Sequence, residues 1–308
     1  MNWHKLGRIF EPKGQYPWCL THGMLPTQLH LHDDLYRVYF SGRDRDNQSY
    51  IGYVDIDLAK PTEIVGMSEK PVLSPGLLGT FDDSGVSPLC AFPTPIGEVR
   101  LYYMGWQRGS TTRASEMTGL AMVGLDDVGL QRQTFVRYSQ APILERTNEE
   151  PYCIGVLSCV VREGDLWRGW YDSCDRWITA KLPKYNIKYM ESDDGIHWRR
   201  RARAVSLTYR NEDETRISRA SVIRQNGIYR MWYCYAIGEG GYRMGYGESE
   251  DGIGFNRKDG EAGIDPSSEG WDSEMVCYPS VFEHKGQLWM LYCGNGYGRT
   301  GFGIAMEE

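Results

Sequence analysis

Carboxylates recur at the entries to successive strand units along this chain of 308 residues, and their spacing is the first hint of chemistry. Asp83 lies five residues before Pro88 and Glu274 five before Pro279, so the two acids hold matching positions in separate units. Glu150 and Glu214 stand at the entries of two further units, in Glu149-Glu150-Pro151-Tyr152 and Asp213-Glu214-Thr215-Arg216. Acids gathered from separate units can divide general acid and general base work. One protonates a leaving oxygen while another serves as base or nucleophile opposite it, as cleavage or transfer at a glycosidic bond requires. Asp83 and Glu274 are thus the leading catalytic candidates, with Glu150 and Glu214 as alternates.

Loops expected on the same face mix aromatics with hydrogen-bonding groups. They read Gly42-Arg43-Asp44-Arg45-Asp46, Trp106-Gln107-Arg108, Asp172-Ser173-Cys174-Asp175-Arg176-Trp177 and Gly294-Asn295-Gly296-Tyr297-Gly298-Arg299-Thr300. Aromatic faces stack on the C–H surfaces of sugars, while Asn, Asp and Arg read hydroxyls. His22, Trp106, Asp172, Tyr278 and Asn295 are therefore substrate-binding candidates. Arg216, Arg219 and Arg299 join them, because a guanidinium can pair with the acids and tune them, or hold a phosphate or carboxylate. The acidic-Gly turns Ser192-Asp193-Asp194-Gly195 and Ser249-Glu250-Asp251-Gly252 fall on the opposite face, so Asp194 and Asp251 are expected to be structural.

The elements that position these groups come from a repeat. An aromatic-rich strand recurs as Leu35-Tyr36-Arg37-Val38-Tyr39-Phe40, Val99-Arg100-Leu101-Tyr102-Tyr103, Leu166-Trp167-Arg168-Gly169-Trp170-Tyr171, Ile228-Tyr229-Arg230-Met231-Trp232-Tyr233 and Leu288-Trp289-Met290-Leu291-Tyr292. A near-constant period of about 62 residues that fills the chain marks a repeat architecture with one supersecondary unit per repeat. Each unit reads as an apolar strand, a tight polar turn such as Asn226-Gly227, the aromatic strand, a loop, a third strand and a fourth. The expected fold is all-β, a five-bladed β-propeller formed as one domain over residues 1–308. The last unit stops after its third strand, so the N-terminal segment Trp3 to Pro12 is expected to supply the missing one and close the ring. The natural ligand site of such a body is its central funnel.

Composition narrows the partners. A formal charge of −7 argues against nucleic acid and anionic membrane surfaces. Met1-Asn2-Trp3-His4-Lys5-Leu6-Gly7-Arg8 has no apolar signal region and no run approaches the roughly 18 apolar residues of a span, so no membrane insertion and a cytoplasmic location are expected. The eight cysteines stand singly, without a C-x-x-C pair, and are read as buried free thiols. His30-Leu31-His32-Asp33-Asp34 reads as a surface turn, and no phosphate-loop motif is present. No metal site and no cofactor are expected from these residues.

Together, the five units, the S-x-D-G-x-x-[W/F] turns at Ser192 to Trp198 and Ser249 to Phe255, and Tyr278-Pro279-Ser280-Val281 followed by Leu288-Trp289-Met290-Leu291-Tyr292 resemble the five-bladed propeller glycosidase superfamily of glycoside hydrolase families 32, 43, 68 and 130. The segment from Gly270 to Gly303 is similar to little-characterised members associated with bacterial surface-polysaccharide biosynthesis. The resemblance implies a carbohydrate or sugar-conjugate ligand, and it allows a structural calcium or sodium ion in the central channel. Families 43 and 32 usually carry an Asp-Pro step on the first inner strand; here that strand reads His22-Gly23-Met24-Leu25-Pro26, without the aspartate. Three readings follow: a glycoside hydrolase-like enzyme working through funnel carboxylates; a phosphorylase or transferase with one carboxylate and an Arg/His anion site; and a propeller that binds sugar or protein without catalysis.

Overall fold

The computed structural model describes residues 1–128 and 134–308. The chain opens with strand β1 (Trp3–Phe10) and then lays down sets of antiparallel strands. The first set is β2 (Thr21–His32), β3 (Leu35–Arg43), β4 (Ser49–Asp57) and β5 (Ile64–Met67); the second is β6 (Gly85–Pro93), β7 (Glu98–Arg108), β8 (Ala114–Gly124) and β9 (Val136–Arg137). The third comprises β10 (Ile154–Glu163), β11 (Leu166–Thr179), β12 (Leu182–Ser192) and β13 (Arg199–Leu207), and the fourth β14 (Glu214–Gln225), β15 (Ile228–Ile237), β16 (Arg243–Ser249) and β17 (Asn256–Arg257). The last contains β18 (Cys277–His284), β19 (Gln287–Cys293) and β20 (Phe302–Glu307), and β1 pairs antiparallel with β20 from Trp3 opposite Glu307 to Phe10 opposite Phe302. Hydrogen bonding divides these strands into one 16-stranded and one 4-stranded sheet.

Local chemistry explains the hairpins. Asn226-Gly227 and Lys285-Gly286 both have positive φ at each turn residue, the two-residue geometry whose twist matches the strands it joins. The aromatic second strands bury most deeply, with Trp170, Trp232, Tyr103, Tyr171, Tyr233 and Tyr292 all nearly inaccessible. Each set packs on the next through them. Tyr39 and Ile51 meet Val86 and Leu101; Tyr102 meets Leu157 and Tyr171; Trp170 and Tyr189 meet Val222 and Met231; Trp232 and Tyr246 meet Met290 and Tyr292. The last set packs on the first, with Leu291, Phe302 and Ile304 against Phe10, Phe40 and Val54.

The arginines that align the repeat are staples between sets. Arg37 and Arg100 donate to the carbonyl oxygens of Val128 and Asp194, Arg168 donates to Asp251 O at 2.9 Å, and Arg230 to Glu307 Oε1 at 2.9 Å. Asp194 and Asp251 organise the acidic-Gly turns that receive two of these bonds. Asp194 Oδ1 accepts the N–H groups of Ile196 and His197 at 2.8 Å, and Asp251 Oδ1 that of Ile253 at 2.8 Å. All eight cysteines are free, and among the described residues no helix is long and apolar enough to cross a membrane.

Candidate functional site

The inner strands β2, β6, β10, β14 and β18 each carry a register shift, between Met24 and Thr27, Pro88 and Cys90, Leu157 and Cys159, Ser218 and Ser221, and Cys277 and Ser280. A bulge bends its strand and re-aims a side chain. Here the displaced residues Leu25, Leu89, Ser158, Arg219 and Tyr278 all face one cavity of about 360 Å³, and all five inner strands contribute to its wall. A second cavity of about 200 Å³ continues along the same axis, and the two share Leu89, Ser158 and Arg219, which form the partition between them.

Backbone strain concentrates at this funnel. Of nine non-glycine residues with positive φ among the described residues, Leu25, Asn47, Arg219, Tyr278 and Tyr297 line the cavity. Such conformations cost of order 1–3 kcal/mol each and persist where the surroundings over-determine them, commonly at ligand sites.

Asp172, on β11, forms the polar point of the floor. It accepts Ser158 Oγ at 3.1 Å, Ser218 Oγ at 2.7 Å and the Arg219 N–H at 3.1 Å. Burial pushes its carboxyl up to about 7, against the pull of these three donors. A carboxyl so poised can hold or release a proton near neutral pH. Glu116, on β8, is the other carboxylate of the wall, 3.4 Å from Arg113 Nη2, and its charge raises the Arg113 guanidinium above the usual arginine value. Arg43, Arg216, Tyr185, Tyr242 and Tyr297 complete the polar lining, with Trp106 held by its Nε1 donating to Ser49 Oγ at 2.7 Å.

Arg219 faces the axis rather than the open funnel. Its guanidinium, 2% exposed with the residue, donates to Leu89 O at 2.7 Å, Thr27 Oγ1 at 3.0 Å and Pro26 O at 3.4 Å, bridging β14 to β6 and β2. These carbonyl and hydroxyl oxygens are what a calcium or sodium ion in the channel would need. A cationic side chain already occupies them, so the residues here do not fit the structural ion that the family resemblance allows.

The nominated residues therefore divide. Trp106, Asp172, Arg216, Arg219 and Tyr278 line the cavity. Asp83, Glu274, Glu150, Glu214, His22, Asn295 and Arg299 are not in its wall. Glu150 is buried under Tyr171 OH (3.0 Å), Ser173 Oγ (2.8 Å), Lys188 Nζ (2.9 Å) and the Arg200 guanidinium (2.9 Å). Glu214 takes both Arg257 nitrogens, at 2.6 and 2.7 Å. The pattern is general: Asp82 accepts Tyr103 OH at 3.0 Å and pairs with Arg137 at 2.8 Å, while Asp272 accepts Tyr292 OH at 3.3 Å and pairs with Lys5 at 2.7 Å. The acids at the unit entries tie inner to outer strands. Asp83 accepts the Gly79 N–H at 2.9 Å and Ser84 Oγ at 3.0 Å, Glu274 is exposed, and Asn295 uses its Oδ1 to hold the Glu274 N–H at 2.8 Å. Arg299 is exposed. His22 is held down to about 4 by burial first and then by the charges of Arg43 and Arg299, so it is neutral at physiological pH.

Glu116, Arg113, Tyr185 and Tyr242 are among the lining residues that sequence reasoning missed. They sit at or beside third-strand starts, where the repeat aligns poorly; the usable signal was the position of Glu116, which lies across the sheet from Trp106.

This arrangement defines a class by fold: a nearly all-β body shared with glycoside hydrolases. A solved structure described as a glycoside hydrolase superposes with a TM-score of 0.78 at 18% identity, covering 99% of this chain and 91% of its own. A thermostable family-43 glycoside hydrolase gives 0.63 at 14%, covering 93% and 88%. A Bombyx mori family-32 β-fructofuranosidase, solved in complex with sucrose, gives 0.62 at 13%, covering 96% and 62%. No family model matches the sequence. Uncharacterized protein Rv1502 and Uncharacterized protein MT1551, from two strains of Mycobacterium tuberculosis, are each 39% identical over 311 aligned positions, covering all of both chains. The chain belongs to the family of these mycobacterial proteins.

Proposed function

We propose that this protein is a carbohydrate-active enzyme, a five-bladed propeller over residues 1–308 closed by β1, whose chemistry takes place in the funnel floored by Asp172. One observation carries the reading: five bulged inner strands converge on a single cavity holding an acid poised near neutrality, a second carboxylate and aromatic ring faces. Glycoside hydrolase neighbours, one of them holding sucrose, support a sugar as the ligand. Asp172 is the proposed proton donor and Glu116 the second acid. They take the roles first assigned to Asp83 and Glu274, which stand outside the cavity.

Transfer or phosphorolysis is the favoured reaction class over two-carboxylate hydrolysis, because guanidinium groups outnumber carboxyls in the wall. The proposal extends to a cytoplasmic place in bacterial surface-polysaccharide biosynthesis, on the family resemblance alone. The test is turnover of a glycoside and sugar-phosphate panel, with and without inorganic phosphate, by the wild type, Asp172→Asn and Glu274→Gln. Loss in the first variant and retention in the second is expected; the reverse contradicts the site.

A further inference from the structure

We infer that the funnel takes a sugar bearing its own oxyanion, a phosphate ester or a carboxylate, and that this group lies between the guanidiniums of Arg43 and Arg216. The inference rests on the carbohydrate reading above and names the substrate class of the same cavity.

Charge is the first argument. Four guanidinium groups, of Arg43, Arg113, Arg216 and Arg219, face two carboxyls in the wall, within a chain whose net charge is −7. Arg113 is paired with Glu116 and Arg219 is turned onto channel oxygens. Among the described residues, Arg43 and Arg216 have no carboxylate partner.

Each is nevertheless held in place. Arg43 Nη1 donates to Asn47 Oδ1 at 2.7 Å, and Arg216 Nη2 to Gly240 O at 2.6 Å. These neutral acceptors fix orientation; the Glu116 carboxylate, already paired with Arg113, also acts on Arg43, while the hydrogen bonds of Arg216 all go to neutral oxygens. A guanidinium in the wall of a buried cavity that donates only to neutral oxygens is poorly compensated, and an arriving oxyanion with several lone pairs improves that balance. The positive field also reaches His22, whose depressed basicity owes its second contribution to Arg43.

Size and lining then point to a sugar-borne anion over a free one. Arg43 lies 5.7 Å from the Trp106 ring centroid and Arg216 5.2 Å from that of Tyr242, so each cation sits over an aromatic ring of the wall. A cavity of about 360 Å³ matches a small organic ligand and would be mostly empty around bare phosphate.

Calorimetry on the full chain with glucose, inorganic phosphate, glucose 6-phosphate and glucuronate tests this. At least one acidic sugar is expected to bind about tenfold or more tightly than both glucose and phosphate, with affinity falling as salt rises. Arg43→Gln and Arg216→Gln should each weaken that binding by about tenfold or more while thermal melts confirm folding. If Arg216→Gln fails to fold because its carbonyl bonds are structural, Arg43→Gln decides alone. Glucose binding as tightly as the acidic sugars overturns the inference and leaves the carbohydrate reading standing. Free phosphate matching glucose 6-phosphate overturns it in favour of a phosphate co-substrate. Failure of all four probes to bind also overturns it, and turnover by Asp172→Asn judges the broader reading separately.

Discussion

The Asp172 carboxylate accepts the backbone N–H of Arg219 at 3.1 Å, joining β11 to the bulge of β14 at the floor of the funnel. One contact fixes two things. It aims the acid at the cavity, and it holds Arg219 in the positive-φ conformation that sends its guanidinium into the axial channel.

Asp172 should impose a measurable pH dependence on stability. Its folded value near 7 lies above its ordinary value of 3.8, so between those limits the native state binds a proton that the unfolded chain does not. Its contribution is therefore present in full below the ordinary value and is lost as pH rises toward 7. Other groups titrate in the same range, so the readout is a difference. Melting temperature across pH 4 to 8 should fall more with rising pH in the wild type than in Asp172→Asn; parallel curves would contradict the buried, neutral-range acid.

Glu150 is expected to act through structure, given the four partners that hold it. Its partner Lys188 is 7% exposed and its own side chain 8%; breaking such a buried pair costs up to about 3–5 kcal/mol, lessened here because Lys188 keeps Asp175 at 3.5 Å. Denaturant melts of Glu150→Ala should shift by that order, while the folded fraction keeps its affinity for funnel ligands. A variant that is fully stable yet cannot bind would return Glu150 to the site.

His22 should stay neutral through the physiological range. Held down to about 4 by burial and neighbouring arginines, it favours the folded state above its ordinary value of 6.5, and that stability is lost as pH falls from 6.5 toward 4. Nuclear magnetic resonance of the imidazole should find no titration between pH 8 and 5.5. A midpoint near 6.5 would contradict the positive field around it.

Much of the fold was legible because it rests on patterns that local chemistry enforces. The aromatic second strands recur since each must fill the space between neighbouring sets, and the aligned arginines recur because they staple one set to the next. Much of the cavity wall was hidden for the same reason. The repeated linker acids resemble a catalytic ring, yet Glu150 and Glu214 repeat because four of the five sets tie inner to outer strand through an acid at the entry. Glu116 and Arg113 break no pattern and belong to no motif, so their place in the wall depends on where β8 begins and how the inner strands bulge.

Deleting residues 1–12 removes β1 from β20 and strips Lys5 from the buried Asp272 carboxylate, 2.7 Å away. The β20 edge would be exposed and one buried charge left without its ion-pair partner. A strong drop in melting temperature is expected; an unchanged value would contradict ring closure by the N-terminal strand.

The most direct measurement of the central claim is a crystal structure soaked with glucose 6-phosphate. The account predicts a sugar in the cavity above Asp172, with its phosphate on Arg43 and Arg216. Ligand density bound instead at the linkers around Asp83 and Glu274, with the funnel empty, would contradict it.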